Sequence, residues 1–548
     1  MNETLSLKGN IIKIEDKAYN ENIEKILSGR FDKDDSLNKT IEDLYDPYLL
    51  KGMNEGVERI KKAKELGQKV MIFGDYDVDG VTATSILMHA FKKIGINASY
   101  RLPHRIHDGY GLKNYFIDEM EALGVDLVIT VDCGTKDIEA INHAKQKNID
   151  VIVTDHHSVP DIIPEGAIAI INPKREDCSY PFKQLSGAGV AFKLMSALVK
   201  EFLEEKEAKD YIEETLDIAA LGTVADCMNL VGENRIIVEA GLKQLKKSRS
   251  KGLRKLIESK INEDLDSDIF SFLLGPKLNA AGRLDSPYKA INLILNNGNT
   301  IDATISEIES LNERRRKLTY KYFDEALENI NSEDNIIFYE SKEISHGIIG
   351  IIAGKITEKF YRPSIVLIEE EEKYVASCRS PDYFSIVEIL EKYKDYFIAF
   401  GGHKQAAGFS ITKDKFPKFK EKIIQDLNNL DFSIFKKSLY IDKVITINEI
   451  GFNFYNTISK FKPFGLGNPK PIFIIENFKY NKIEYLGKGI EHLKFDVGNG
   501  LKLCAFFMGK YIEEIKKTNN LSIIFELYLD NFNGTKKLQL NIIDMITN

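Results

Sequence analysis

Three clusters of carboxylate and imidazole side chains each follow a short apolar run. Asp75-Tyr76-Asp77-Val78-Asp79-Gly80 follows Val70-Met71-Ile72-Phe73, Asp132 follows Leu127-Val128-Ile129-Thr130-Val131, and Asp155-His156-His157 follows Val151-Ile152-Val153-Thr154. A fourth run, Leu221-Gly222-Thr223-Val224-Ala225, ends in Asp226. Carboxylates gathered at one point repel each other and lose hydration, and divalent cations are the usual remedy. Oxygen donors favour Mg2+ or Mn2+, and imidazole shifts the balance toward Mn2+. A pair of such ions, about 3.5–4 Å apart, suits phosphoryl chemistry, activating a water and steadying charge on the phosphate. Only nine of 548 residues are histidine, so two adjacent ones after an aspartate favour ligation over an ordinary surface pair. Their side chains point differently, which leaves one for metal and one for substrate. Asp226, taken alone, also reads as a plain helix cap.

These groups need a scaffold that brings distant residues together. Short apolar runs rich in β-branched residues read as buried parallel strands, and chemistry in open α/β sheets collects beyond the carboxyl ends of the strands. From Lys61 to Lys174 such runs alternate with helical stretches, for example 80–94 with Val81, Ser85, Met88 and Phe91, then Gly95. That alternation means βαβ units and a mostly parallel sheet. Residues 185–260 read as mainly helical. Ile305, Ile308, Leu311, Leu318 and Tyr322 mark one stripe of a long amphipathic helix, broken at Ser332-Glu333-Asp334. A second α/β unit follows, with strands at Ile336-Phe338 and Ser364-Ile368 and a Gly-rich element, Gly401-Gly402-His403. Six strand-like runs then lie at Ile472-Glu476, Tyr480-Tyr485, His492-Val497, Leu501-Phe507, Leu521-Leu529 and Leu538-Met545, with turns at Gly498-Asn499-Gly500 and Asn533-Gly534. So many short strands in one segment predict a small barrel such as an OB-fold. The expected division is a polar lead-in with short helices over 1–45, a first α/β unit over 46–300, a connecting helix over 301–332, a second α/β unit over 333–432 and the barrel over 433–548.

At 43% hydrophobic and 29% charged residues, the composition is that of a soluble protein of several domains. No apolar run reaches the length of about 18 residues that a membrane span needs, and Met1 to Ile12 is not read as a signal peptide. Five scattered cysteines without a Cys-x-x-Cys pair argue against a zinc ribbon or a disulfide framework and for a reducing cytoplasm. A net charge of −8 means that any nucleic-acid surface must be local. Lys243, Lys246, Lys247, Arg249, Lys251, Arg254 and Lys255, and the run Arg314-Arg315-Arg316-Lys317, are candidates, although each also reads as a solvated helix face. With 31 Phe, 24 Tyr and no Trp, stacking on bases falls to Phe and Tyr.

Asp75-Tyr76-Asp77-Val78-Asp79-Gly80, Val131-Asp132-Cys133-Gly134-Thr135, Asp155-His156-His157 and Gly222-Thr223-Val224-Ala225-Asp226 resemble the first four motifs of DHH phosphoesterases. The segments 275–284 (Gly-Pro-Lys-Leu-Asn-Ala-Ala-Gly-Arg-Leu), 345–350 (Ser-His-Gly-Ile-Ile-Gly), Gly401-Gly402-His403 and 463–469 (Pro-Phe-Gly-Leu-Gly-Asn-Pro) resemble the RecJ exonuclease branch of that family, over nearly the whole chain. The resemblance implies an α/β protein with two α/β domains, DHH and DHHA1-like, joined by a long helix, plus a C-terminal OB-like β-barrel. It implies a 5′→3′ exonuclease on single-stranded DNA that uses two Mn2+ or Mg2+ ions and acts in DNA repair and recombination. By the same resemblance Asp77, Asp79, Asp132, His156 and Asp226 are metal ligands, with Asp132 bridging two ions; His157 meets the scissile phosphate, and Asp75 is a supporting carboxylate. Phe73 stands where small DHH phosphatases carry a histidine, which leaves one metal site a ligand short. In the loop His104-Arg105-Ile106-His107-Asp108-Gly109-Tyr110-Gly111, Arg105 suits a phosphate and Tyr110 a base. Arg283, Ser377, Arg379 and His403 are further phosphate binders, and Gly401 and Gly402 let backbone N–H groups approach an anion or simply make a tight turn. Cys378 departs from the small-residue pattern around Ser377. The strand threads a channel between the two α/β units that is too narrow for duplex. A helicase and a single-strand-binding protein are implied as partners, with no membrane and a monomeric chain.

Three other roles fit parts of the pattern. DHH phosphodiesterases acting on short oligonucleotides or cyclic dinucleotides share the first four motifs but usually lack the terminal barrel. Asp77-Val78-Asp79-Gly80-Val81-Thr82 mimics the nucleophile motif of aspartyl-phosphate phosphatases, which leaves Asp155-His156-His157 idle. A non-catalytic RecJ-like subunit of a replicative helicase has degraded ligands, whereas all five are present here.

Overall fold

The computed structural model describes residues 2–31, 37–428, 430, 435–487, 489–498, 500–518, 520–532 and 535–547. The turn residues Asn499 and Asn533-Gly534, and the expected boundary at 432/433, lie outside them.

The apolar runs of the first unit are strands, buried along almost their whole length. Val70–Gly74, Leu127–Val131 and Asp150–Thr154 form the middle of a five-stranded sheet flanked by Ala98–Arg101 and Ala169–Ile171. All its pairings are parallel. Ile72, Ile129 and Ile152 face one apolar core, while Phe73, Val128, Val151 and Val153 face another. Burial on both faces is why these strands read as continuous apolar runs rather than alternating ones. The register sets Gly74 opposite Val131 and Val131 opposite Thr154. The next residues, Asp75, Asp132 and Asp155, therefore leave the sheet at one level of its carboxyl edge.

Helices cover the first core, among them Val78–Ile94, Gly187–Phe202 and Glu205–Ala225. The long helix runs over Ile301–Asn329 with Ile308 and Tyr322 buried. It leads into a mixed sheet ordered Phe397–His403, Ala406–Thr412, Lys373–Arg379, Ser364–Glu369, Ile337–Ser341. Only the last pair is parallel. Gly401-Gly402-His403 is not a tight turn: it ends the edge strand, with Gly401 paired to Gly408.

All six strands expected in the C-terminal segment are present, within a seven-stranded sheet. Phe473, Phe525 and Leu540 pack on one face, and Ile474, Ile524 and Ile546 on the other. The first 45 residues are more than a polar lead-in. Asn2–Leu5 and Ile11–Ile14 form a hairpin that pairs with Ser438–Ile441, and Ile12 and Ile14 cover the second face of the C-terminal sheet. Pro463 to Pro469 is a docking loop. The Leu230 N–H donates to the Leu466 carbonyl at 2.7 Å, and the Arg235 guanidinium donates to the carbonyls of Phe461 (3.0 Å) and Lys462.

Three of the seven cations between Lys243 and Lys255 are engaged in ion pairs: Lys243 pairs with Glu239, Arg249 with Glu214 and Lys255 with Asp302. No helix among the described residues is long and apolar enough to cross a membrane.

Candidate functional site

Asp75, Asp77, Asp79, Asp132, His156, His157 and Asp226 converge beyond the carboxyl edge of the parallel sheet. Ligand atoms of Asp75, Asp77 and Asp132 lie within 4.8 Å of one another, as do those of Asp79, His156 and Asp226, and those of Asp132, His156 and His157. Each side chain is aimed by local structure. Asp77 caps the Val78–Ile94 helix, accepting from the Asp79 and Gly80 N–H groups at 2.9 and 3.2 Å. Asp79 accepts from the Gly187 and Ala188 N–H groups at 2.6 and 2.9 Å, so its charge sits at the positive end of the Gly187–Phe202 helix. A Cβ on Gly187 would stand 2.5 Å from the Asp132 Cβ, and glycine alone allows this approach. Asp132 has φ 61°, a left-handed conformation that costs a non-glycine residue about 1–2 kcal/mol and is concentrated at functional sites. Asp226 follows the C-terminal end of the Glu205–Ala225 helix rather than capping an N-terminus, and its carboxylate reaches the cluster.

The donor set fits divalent metal. His156 Nε2 lies 3.1 Å from Asp132 Oδ1, 3.5 Å from Asp226 Oδ2 and 3.8 Å from Asp79 Oδ2. Yet His156 Nε2, Asp132 Oδ1 and Asp75 Oδ1 are buried without a hydrogen-bond partner. Such atoms are rare in folded proteins, and lone pairs converging on a shared point are what a cation requires. Burial, then repulsion from Asp77, raises the Asp75 carboxyl to about 8 and that of Asp79 to about 7. Burial and the Asp79 charge raise Asp226 to about 9, and burial with the charges of Asp79 and Asp77 holds Asp132 well above the usual carboxylate range. Acids that resist ionisation together call for positive charge. Burial, then the neighbouring His157, lowers His156 to about 3, which keeps it in the neutral, ligating form. The Asp75 carboxylate lies within 4.8 Å of those of Asp77 and Asp132. Phe73 is fully buried against Phe116 and supplies no donor.

His157 is held differently. Asp155 Oδ1 accepts from its N–H at 3.0 Å and lies 2.8 Å from its Nδ1, while Oδ2 accepts from the Thr135 N–H at 3.0 Å. Burial alone would raise the Asp155 carboxyl; the hydrogen bond and charge of His157 outweigh it and hold the group well below its ordinary value. An ionised Asp155 assigns the proton to Nδ1 and leaves Nε2 for substrate. For His157, burial is likewise outweighed by Asp155, and the imidazole is raised. The sequence places Asp155 in the third acidic cluster without a role of its own, and it does not single out Asn172. Asn172 donates to the His157 carbonyl at 3.0 Å and to Thr135 Oγ1 at 3.1 Å. It directly follows the strand Ala169–Ile171, and that strand-end position, shared with Asp132 and Asp155, is the signal that could have found it. The Tyr110 hydroxyl donates to the Asp132 carbonyl at 3.1 Å and lies 3.1 Å from His157 Nδ1.

Cations line the cleft beside these acids. The Arg105 guanidinium lies 4.0 Å from the Tyr76 ring centroid, with its Nε buried and unpartnered. Arg283 donates to the Gly347 carbonyl at 3.0 Å, which joins the two α/β units. Burial, then the charge of Arg105, lowers it to about 10; Asp77 opposes this, and Arg315 and Arg379 add to it. Four guanidinium groups from four elements thus share one field. Arg379 donates to Ser377 Oγ at 3.2 Å and to the Cys378 carbonyl at 2.8 Å, and both side chains pack against Gly350 in the first turn of the Ile349–Phe360 helix. His403 is exposed; burial, then the charges of Lys136, His157 and Lys174, lower its imidazole. Gly401 and Gly402 are exposed beside it. From the run at 314–317 only Arg315 is half-buried and turned inward.

Comparison with known proteins agrees with this geometry. Residues 69–223 match the DHH family N-terminal domain, 333–429 the DHHA1 domain and 441–544 the RecJ OB domain. The chain is 34% identical over 514 residues to the single-stranded-DNA-specific exonuclease RecJ of Bacillus subtilis, covering 92% of this chain and 64% of that one. It is 32% identical over 540 residues to the protein of that name from Salmonella typhimurium, covering 93% and 92%. The crystal structure of RecJ from Thermus thermophilus in complex with Mn2+ superposes with a TM-score of 0.82 at 27% identity, over 96% of this chain and 76% of that one. Carrying the DHH, DHHA1 and RecJ OB domains in this order, the chain belongs to the RecJ family.

Proposed function

We propose that this chain is a metal-dependent exonuclease specific for single-stranded DNA, hydrolysing phosphodiester bonds from the 5′ end. The observation that carries the reading is the buried, unpartnered pair Asp132 Oδ1 and His156 Nε2, around which the acidic clusters meet. Family membership supports it: relatives carry the name single-stranded-DNA-specific exonuclease, and structures of one contain Mn2+ or Mg2+.

Asp77 and Asp132, with Asp75, would hold one ion; Asp79, His156 and Asp226, with Asp132 shared, would hold the other. When bound, a pair of Mn2+ or Mg2+ ions supplies an acidified water and neutralises charge on the phosphate. The chain's own groups do the rest. Asp155 orients His157 so that its outward nitrogen donates to the scissile phosphate. Arg105, Arg283 and Arg379 fix the backbone phosphates, with Ser377, Gly401, Gly402 and His403 completing the wall of the second unit. Tyr110 offers a ring face to a base. The cleft admits one strand, which the C-terminal domain extends. In this reading the protein works as a monomer in the cytoplasm, in DNA repair and recombination, beside a helicase and a single-strand-binding protein.

End-labelled DNA tests the proposal. Single-stranded DNA carrying the label at its 5′ end should release labelled mononucleotide at once in Mn2+, with no release from duplex and none in chelator. Release first from a 3′ label would reverse the polarity, and digestion confined to short oligonucleotides would favour a small-substrate phosphodiesterase.

A further inference from the structure

Tyr110 has two ends in different surroundings. The residue is 39% exposed, and its ring borders the cleft. Its hydroxyl turns inward. It donates to the main-chain carbonyl of Asp132 at 3.1 Å, lies 3.1 Å from Nδ1 of His157, and the ring meets that imidazole edge-on at 5.5 Å between centroids. A phenol has one proton to give. With that proton on the Asp132 carbonyl, the oxygen is left to accept from His157 Nδ1, whose N–H is shared with Asp155. The carbonyl it holds belongs to the residue at φ 61°, whose carboxylate takes part in two of the three ligand clusters.

The loop that delivers Tyr110 is fastened at both ends. At one end the His104 N–H and the Tyr115 hydroxyl donate to Asp108 at 2.6 and 3.0 Å. At the other, Asp137 accepts from the Leu112 N–H at 2.7 Å. Gly111, at φ 86°, passes so close that a Cβ would stand 2.6 Å from Asp137 Oδ1. The hydroxyl therefore reaches Asp132 on a fixed arm rather than by chance contact.

We infer that the Tyr110 hydroxyl is a positioning group: it holds Asp132 in its left-handed backbone conformation and sets His157 against Asp155. The inference rests on the nuclease reading and adds to it a division of labour within one side chain, ring for the strand and oxygen for the ligands.

Tyr110→Phe removes the oxygen and keeps the ring; Tyr110→Ala removes both. The variants are compared on end-labelled single-stranded DNA with Mn2+, by Mn2+ calorimetry without DNA, and by thermal melting. In Tyr110→Phe, kcat should fall about tenfold, as for loss of one hydrogen bond at a strained ligand, with KM within about twofold. Its Mn2+ affinity should fall severalfold at an unchanged melting temperature. Tyr110→Ala should show the same losses and a raised KM. A Phe variant with wild-type kcat and wild-type Mn2+ affinity overturns the inference, as does one in which KM alone rises. If the wild type fails to digest single-stranded DNA, the nuclease reading falls; an unchanged Mn2+ affinity in Tyr110→Phe then separately removes the positioning role.

Discussion

The two α/β units meet at one cleft and bring opposite chemistry to it. The first presents carboxylates and imidazoles at the ends of an all-parallel sheet, and most are buried: Asp79 is 1% exposed, Asp132 3% and His156 5%. The second presents Ser377 and Arg379 half-buried on a mid-sheet strand, and Gly401, Gly402 and His403 exposed on an edge strand. Buried like charges raise the energy of the fold until cations join them. Half-exposed donors keep part of their hydration and cost the fold little. The contrast teaches that the first surface is built for a reaction and the second for holding a strand, so the two should fail differently when changed.

Asp132→Ala tests the first half of that contrast with the largest expected effect. Removing the carboxylate common to two clusters should lower kcat by well over the roughly 10- to 100-fold seen on loss of an outer partner of a metal site. Strand affinity, measured by fluorescence anisotropy without divalent ions, should stay within about twofold, since phosphate contacts dominate binding. A variant that keeps more than a few per cent of turnover would remove Asp132 from the centre of the mechanism.

Cation removal gives the next effect, through protons. The raised carboxyls of Asp79, Asp75 and Asp226, at about 7, 8 and 9, keep protons that an unfolded chain sheds near pH 4. Because the folded values are raised, the stability that these protons lend is fully present below about pH 4 and lost as pH rises through the window from about 7 to about 9. Without divalent ions the melting temperature should therefore fall between about pH 6 and 9. Ions must displace the same protons, so Mn2+ affinity should rise more than about tenfold from pH 6.5 to 8.5, with proton release. Calorimetry in two buffers of different ionisation enthalpy measures both. Affinity that stays flat with pH would mean that the acids are already ionised and that the electrostatic contrast between the units is overdrawn.

Local features of the site were legible in the sequence, and features set by distant contacts were not. That Asp75, Asp132 and Asp155 end strands follows from the apolar runs before them, and the helix at 301–329 from the stripe that includes Ile308 and Tyr322. No local pattern discloses that Asp79 is seated on the Gly187–Phe202 helix, more than a hundred residues away, or that Asn2–Leu5 and Ile11–Ile14 belong with Ser438–Ile441. The charge run at 314–317 could not tell that Arg315 alone turns inward, because helical rotation relative to a neighbour is a tertiary fact. Gly401-Gly402-His403 is the opposite case: of its two readings, an approach to an anion and a tight turn, local pairing with Ala406–Gly408 removes the turn by keeping the segment extended.

Arg379→Ala probes the second surface and should have the smallest effect of the three. Loss of one phosphate contact should weaken strand binding by roughly fivefold at moderate salt and make the plot of log affinity against log salt shallower by about 0.7. Turnover at saturating strand should stay near wild type, because Arg379 touches none of the ligand clusters. Arg379→Lys sharpens the result. The guanidinium donates from one nitrogen to both Ser377 Oγ and the Cys378 carbonyl, while its other nitrogen lies against Gly350. A lysine carries the charge but not this fork. If charge alone holds the strand, Lys should recover both affinity and salt slope; if the fork is needed, the slope should return without the affinity. A fall in kcat as deep as that of Asp132→Ala would instead mean that the second unit also sets the reacting phosphate, and the division between a reacting face and a holding face would have to be given up.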